Sequence, residues 1–319
     1  MTIKHLVITG GGPYGIVSFG IYEKLLEENF IKRDNIETIY STSIGCLIAV
    51  FMCLKKTNWQ EIKEYLLNKP VTDYVKVSID DIFNLYSKKG VFNGIKIFKN
   101  YLEPFFYAEG VTPDVTFKEL YELSGIKINF ITSDINNNFK EVILNYETCP
   151  DTPIHIGVAA SSSIPLVFYP IQLNDMCLVD GGIVCNYPLY ICLKETNCQE
   201  NEILGIKNNY VKICKVFVNQ ESSILNYIGA FADKLMNTLD MMHSPEYIPE
   251  IPYELSIIIE SEMGLADKEA IIKLFTTKEK RIEFIERGNN IAIDFLKNIN
   301  ENKEKSIDNI ENENENENT

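Results

Sequence analysis

Three groups of residues in this chain have the types that acyl transfer needs: the Ser43 hydroxyl, the Asp180 carboxylate, and the run Gly10-Gly11-Gly12-Pro13-Tyr14-Gly15. Acyl transfer requires a hydroxyl nucleophile, a base to take its proton, and N–H donors for the tetrahedral oxyanion. Each group can supply one of these. Ser43 lies in Ser41-Thr42-Ser43-Ile44-Gly45, where small residues two before and two after it let a strand turn sharply into a helix, the geometry of a nucleophile elbow. The usual spelling has glycine where this chain has Ser41, so Ser41 or Thr42 can also be read as the N-cap of the apolar helix that follows. Asp180 closes a strand pattern, Met176 to Val179, and leads into Gly181-Gly182. That is where open α/β sheets gather site residues, and it is also the composition of an ordinary turn.

These residues need elements to hold them. Lys4 to Thr9 reads as a buried strand that enters the glycine run, and a helical pattern with Ile16, Phe19, Ile21 and Leu25 follows. Such a loop presents backbone N–H groups to an anion. Its spelling also fits the dinucleotide fingerprint, which wants an acidic residue closing the second strand. Here Thr38-Ile39-Tyr40 ends in serines and threonine, with Glu28 and Asp34 too early, so no nucleotide cofactor is expected.

Further along, Asn58 to Leu67 is amphipathic, and Thr116 with Glu119 forms a capping box. Residues 71–126 are the least regular stretch and are expected to hold a cap or lid. Within them, Tyr101 to Tyr107 is aromatic and interrupted by Pro104; it reads either as core packing or as an apolar membrane-facing patch. Strands are expected at Lys127–Thr132, Lys140–Asn145, Val211–Val218 and Leu255–Ile259. Helices are expected at Ile154–Ala160, Tyr187–Lys194, Leu225–Met242 and Ala266–Lys297. This alternation predicts a three-layer α/β/α sandwich around a mainly parallel central sheet.

Composition narrows the partners. The net charge of −15 argues against nucleic acid, which selects clustered Lys and Arg. Eight cysteines with no CxxC pair are expected to be free thiols, and their spread fits no zinc spacing, so no metal is expected. The apolar run at Leu6-Val7-Ile8 is too short for a signal-peptide core, and Cys46 to Leu54 is too short to span a bilayer. A cytoplasmic protein with one domain over residues 1–300 is the expectation. Residues 301–319, a Glu-Asn repeat with no apolar residue after Ile310, are expected to be a disordered tail.

Taken together in this order, the glycine run, the elbow and Asp180-Gly181-Gly182 resemble the patatin-like phospholipase family. Ala160-Ser161-Ser162-Ser163-Ile164-Pro165, Asn186 and Pro188 add to the likeness, which covers roughly residues 3 to 193. The resemblance implies Ser43 as nucleophile, Asp180 as a base contacting it directly, and the Gly11 and Gly12 amides as oxyanion donors. Gly10, Gly15, Ser41, Gly45, Gly181 and Gly182 are implied as supporting motif positions. It implies a metal-independent lipid acyl hydrolase of phospholipase A or lysophospholipase type, acting on membrane glycerolipids by peripheral contact.

Two departures stand out: Tyr14 occupies a position usually basic in the family, and Ser41 replaces the elbow glycine, which we expect to leave modest strain. An acyltransferase, or a weakly active lipid-binding protein, would use the same residues. A Ser43–His243–Asp180 triad is the rival assembly, because those residues fall in the chain order of α/β-hydrolases. The family's dyad needs no histidine. We read Ser18 and Ser161 to Ser163 as helix-surface, cap or packing residues, and Ser162 as a candidate site-lining residue.

Overall fold

The computed structural model describes residues 2–69, 86–210, 218–224, 249–259 and 277–317, with separate positions between 227 and 239. Strand β1 (His5–Ile8) leads through the glycine loop to α1 (Gly15–Glu27). Strand β2 (Thr38–Thr42) leads to α2 (Gly45–Cys53) and α3 (Trp59–Asn68). Next come β3 (Gly90–Phe92), α4 (Gly94–Glu109), α5 (Phe117–Ser124), β4 (Lys127–Asp134) and β5 (Lys140–Leu144). The chain continues through α6 (Ile154–Ser161), β6 (Leu166–Phe168), β7 (Ile171–Leu173), β8 (Met176–Asp180) and α7 (Leu189–Thr196). It closes with β9 (Ile203–Tyr210), β10 (Glu254–Ile259) and α8 (Lys278–Glu317).

The central sheet has the order β10-β9-β1-β2-β4-β8-β7, with β5 also on β4. Its first five strands pair in parallel, while β5 and β8 run antiparallel to β4, and β7 antiparallel to β8. Period-two alternation sends Leu6, Ile8 and Ile39 to one face and Val7 and Tyr40 to the other. Helices α1, α2, α6 and α8 contribute to the first core, and α7 to the second. The result is the three-layer α/β/α sandwich that the sequence predicts.

The register of β4 positions the site. Phe130 and Ile131 pair with Ser41 and Thr42 of β2 and also with Leu144 and Ile143 of β5, so β2 and β5 lie on opposite edges. Thr132 pairs with Val142 of β5 and with Asp180 of β8. Because β5 is one continuous strand, β8 must share the β2 edge. The two strands therefore meet head on along that edge, where Thr42 faces Ile131 and Asp180 faces Thr132.

Several expectations change. Strand β9 occupies Ile203–Tyr210, ahead of the expected Val211–Val218, most of which lies outside the described residues. Asn is depleted in strands, so Asn208 and Asn209 mask the pattern, while pairing with β1 and β10 overrides that local preference. Parts of the expected helices Leu225–Met242 and Ala266–Lys297 likewise lie outside the described residues.

The backbone of α8 runs helically through Glu317. Extending a formed helix adds one hydrogen bond per residue fixed, so propagation is far easier than the nucleation a free segment would need.

Within residues 86–126, Phe98, Leu102, Phe105, Phe106 and Phe117 join the main core; residues 71–85 of the expected cap or lid lie outside the described residues. The aromatic run is continuous helix, with Pro104 inside α4. A proline at 104 leaves the Asn100 carbonyl without its helical donor, and the Lys69 ammonium supplies one at 2.9 Å. Phe105 and Phe106 are buried, so core packing is the correct reading and the membrane-facing patch is not. The Thr116–Glu119 capping box is formed as read.

Candidate active site

Ser43 occupies the corner between β2 and α2, with a left-handed backbone at φ 52°. Strain at the elbow therefore falls on the serine itself and not on Ser41, which lies in regular β2. Outside glycine this conformation is uncommon and persists only where the surroundings impose it. Neither Ser41 nor Thr42 caps α2. The N-cap is Ile44, without a side-chain cap, and the Ser43 carbonyl accepts the Cys46 amide at 2.9 Å. The Thr42 hydroxyl instead donates to the Cys185 carbonyl at 2.9 Å, and Ser41 lies against the buried Cys46 thiol at 3.5 Å.

The Ser43 hydroxyl donates to Asp180 Oδ2 at 2.8 Å, and the Gly182 amide donates to Oδ1 at 2.7 Å. Asp180 is fully buried. Burial pushes its carboxyl up to about 7, against the opposing pull of the Gly182 amide and the Ser43 hydroxyl. A carboxyl poised there can take a proton from an alcohol more readily than one in the ordinary acidic range.

Ser161, at the end of α6, which the sequence suggests as a helix-surface, cap or packing residue, touches the elbow directly. Its hydroxyl accepts the Ser43 amide at 2.8 Å and donates to the Ile131 carbonyl at 2.5 Å. Continuing the parallel ladder would have joined Ser43 N–H to Ile131 directly. The hydroxyl is inserted into that rung, so β2 ends and the chain turns away while both backbone groups stay satisfied. Just beyond it, the Ser163 carbonyl accepts the Asp180 amide at 2.9 Å. Ser162 is buried, and its hydroxyl has no partner among the described residues.

The glycine loop lies over the elbow. A Cβ on Gly10 would sit 3.0 Å from Ser43 Cβ, one on Gly45 2.8 Å from the Thr9 carbonyl, and one on Gly15 2.7 Å from Ile44. On the far side, a Cβ on Gly181 would sit 2.1 Å from the Ile131 carbonyl. Gly12 has φ 50°, which turns the loop into the short helical segment Gly12–Tyr14. Tyr14 is buried and stacks on Phe284 of α8 with centroids 5.7 Å apart, so its ring anchors the loop. Among the described residues, the Gly11 and Gly12 amides donate to no protein acceptor.

Histidine is not part of this arrangement among the described residues. His5 binds Thr38 at 2.8 Å at the opposite end of β1, and His155 binds the Pro113 carbonyl at 3.2 Å; burial lowers the pKa of both. His243 of the rival triad lies outside the described residues.

A buried hydroxyl–carboxylate pair at the carboxyl edge of a mainly parallel sheet, beside a glycine loop with amides unengaged among the described residues, brings together the groups that acyl transfer needs. A family model described as Patatin-like phospholipase matches residues 6–193, more than half of the chain, and the chain belongs to that family. It is 31% identical over 196 residues to a probable lipid hydrolase, 463L, of Invertebrate iridescent virus 6, covering 61% of this chain and 64% of that protein. It is 31% identical over 174 residues to the triacylglycerol lipase ptl2 of Schizosaccharomyces pombe, covering 53% of this chain and 25% of the lipase. The chain thus spans less than two thirds of either relative. The crystal structure of VipD from Legionella pneumophila shares the fold, with a TM-score of 0.52 at 15% identity, covering 93% of this chain and 67% of that one.

Proposed function

We propose that the protein is a serine acyl hydrolase cleaving acyl esters of membrane glycerolipids through a Ser43–Asp180 dyad and an acyl-serine intermediate. The observation that carries this reading is the 2.8 Å hydrogen bond from Ser43 Oγ to Asp180 Oδ2. Asp180 takes the hydroxyl proton as Oγ attacks the ester carbonyl. The oxyanion accepts hydrogen bonds from the Gly11 and Gly12 amides, which have no protein acceptor of their own among the described residues. Collapse of the intermediate expels the alcohol, which leaves with the proton from Asp180. Water then repeats the sequence with Asp180 as base, releasing the fatty acid and restoring Ser43.

Lipid acyl chemistry is supported by family membership and by the printed functions of the two relatives. Among the described residues no helix is long and apolar enough to cross a membrane, which suits peripheral contact with the lipid surface. The test is ester hydrolysis and fluorophosphonate labelling by wild type, Ser43→Ala and Asp180→Asn. Labelling at Ser43, and loss of hydrolysis in both variants, are the expected results. Full activity in either folded variant overturns the dyad.

A further inference from the structure

The geometry points to Asn208 as a positioning residue that aims the Gly11 amide at the oxyanion, an inference that rests on the dyad reading above. Asn208 lies on β9, beyond the stretch matched by the family model. The register of β9 on β1 runs to Ile206 opposite Ile8, and the Thr9 amide extends it by donating to the Ile206 carbonyl at 3.1 Å. Asn208 therefore stands beside the loop leaving β1. Its Nδ2 donates to the Gly10 carbonyl at 2.7 Å.

That carbonyl shares a peptide unit with the Gly11 amide. A trans peptide is planar, with its C=O and N–H pointing in opposite directions, so a donor that fixes the Gly10 oxygen also fixes the direction of Gly11 N–H. The Thr9 hydroxyl also lies 3.0 Å from Gly10 O, but the Asn186 carbonyl competes for it at 3.1 Å, and a hydroxyl has one proton to give. Asn208 is the donor with no competing acceptor. The preceding amide, Gly10 N–H, is held separately by the Asn186 carbonyl at 3.2 Å.

Asn208 also limits what can stand at Gly11, since a Cβ there would lie 2.1 Å from Nδ2. Among the described residues the buried Asn208 Oδ1 atom has no partner, so only the nitrogen end of the side chain is engaged. A hydrogen bond to the carbonyl also polarises the peptide and makes its N–H a stronger donor.

The experiment measures kcat and KM for a soluble p-nitrophenyl ester with wild type, Ser43→Ala, Asn208→Leu and Asn208→Asp, beside thermal melts of each. Asn208→Asp keeps the size of the side chain but sets a carboxylate oxygen against the Gly10 oxygen, so it serves if Asn208→Leu does not fold. Removing an oxyanion donor costs about 10²–10³ in rate, and misaiming one is expected to cost about tenfold to a hundredfold in kcat. KM should change less than about threefold, because ground-state binding does not use this donor. Unchanged kcat per folded molecule in the Asn208 variants, with wild type active and Ser43→Ala inactive, overturns the positioning role alone. Equal hydrolysis by wild type and Ser43→Ala overturns the dyad reading, and this inference with it.

Discussion

Thr42 and Asp180 face consecutive residues of β4, Ile131 and Thr132, along the same edge. One strand leaves the sheet where another arrives from the opposite direction, and the residue after Thr42 is thereby brought against the residue that ends β8. The pairing of Ser43 with Asp180 follows from a register, with residues 137 positions apart in sequence meeting at 2.8 Å. At this junction Asp180 is fully buried, and burial raises its carboxyl.

That burial gives a pH dependence with two opposite signs. As the base, Asp180 must be ionised, so kcat/KM should rise with pH to a plateau, with a midpoint near the value of about 7 that burial gives it. Stability should move the other way. A carboxyl raised on folding favours the protonated folded state, so its contribution is full below the ordinary carboxylate range and is lost as pH climbs through about 7. Asp180→Asn should abolish hydrolysis yet melt at a higher temperature than wild type at pH 8. Melting curves at pH 5 and 8 check this, and an equal difference between the two proteins at both pH values would contradict it.

Ser161→Ala removes the hydroxyl that bridges Ser43 N–H and Ile131 C=O. Both backbone groups would be left buried without partners, at a cost of about 1–3 kcal/mol in stability. With the bridge gone, Ser43 is less firmly held in its left-handed conformation, and kcat should fall about tenfold or more. Denaturant midpoints and steady-state kinetics measure the two effects; wild-type kcat in the folded variant would show that the bridge plays no part in placing the nucleophile.

The sequence carried the strands and turns around the site because each has a local signature: an apolar run into glycines, small residues about Ser43, and an acid before Gly181-Gly182. Ser161 and Asn208 have no such signature. One bridges two backbone groups that come together only when α6 packs on the sheet, and the other acts through a peptide unit on a neighbouring strand. The glycine missing at position 41 suggested strain there, but β2 runs on through Thr42, so Ser41 lies inside a regular strand. The turn begins two residues later, at Ser43.

Ser41→Gly is accordingly expected to leave kcat within about twofold of wild type, since no strain at 41 remains to be released. It should lower stability by about 0.5–1 kcal/mol through the larger backbone entropy lost on ordering glycine in a strand. A parallel measurement of kcat and urea midpoint tests both statements. A several-fold gain in kcat would show that the Ser41 side chain, packed on the Cys46 thiol, holds the elbow away from its best geometry.

Phe105 and Phe106 separate core packing from membrane contact. Phe105 meets Phe51 and Tyr65 edge to face with centroids 5.3 and 4.7 Å away, and Phe106 is completely buried. Truncating a buried phenylalanine costs about 3–5 kcal/mol, because the transfer energy is lost and the cavity left behind does not fully collapse. Phe106→Ala should therefore lower the melting temperature sharply, while the folded fraction retains wild-type affinity for phosphatidylcholine vesicles. Tyr107, on the same helix, is 61% exposed, and Tyr107→Ser should leave the melting temperature nearly unchanged. The two variants divide the aromatic run by face. A Phe106→Ala protein that melts like wild type but loses vesicle binding would mean that this helix opens toward lipid instead of closing the core.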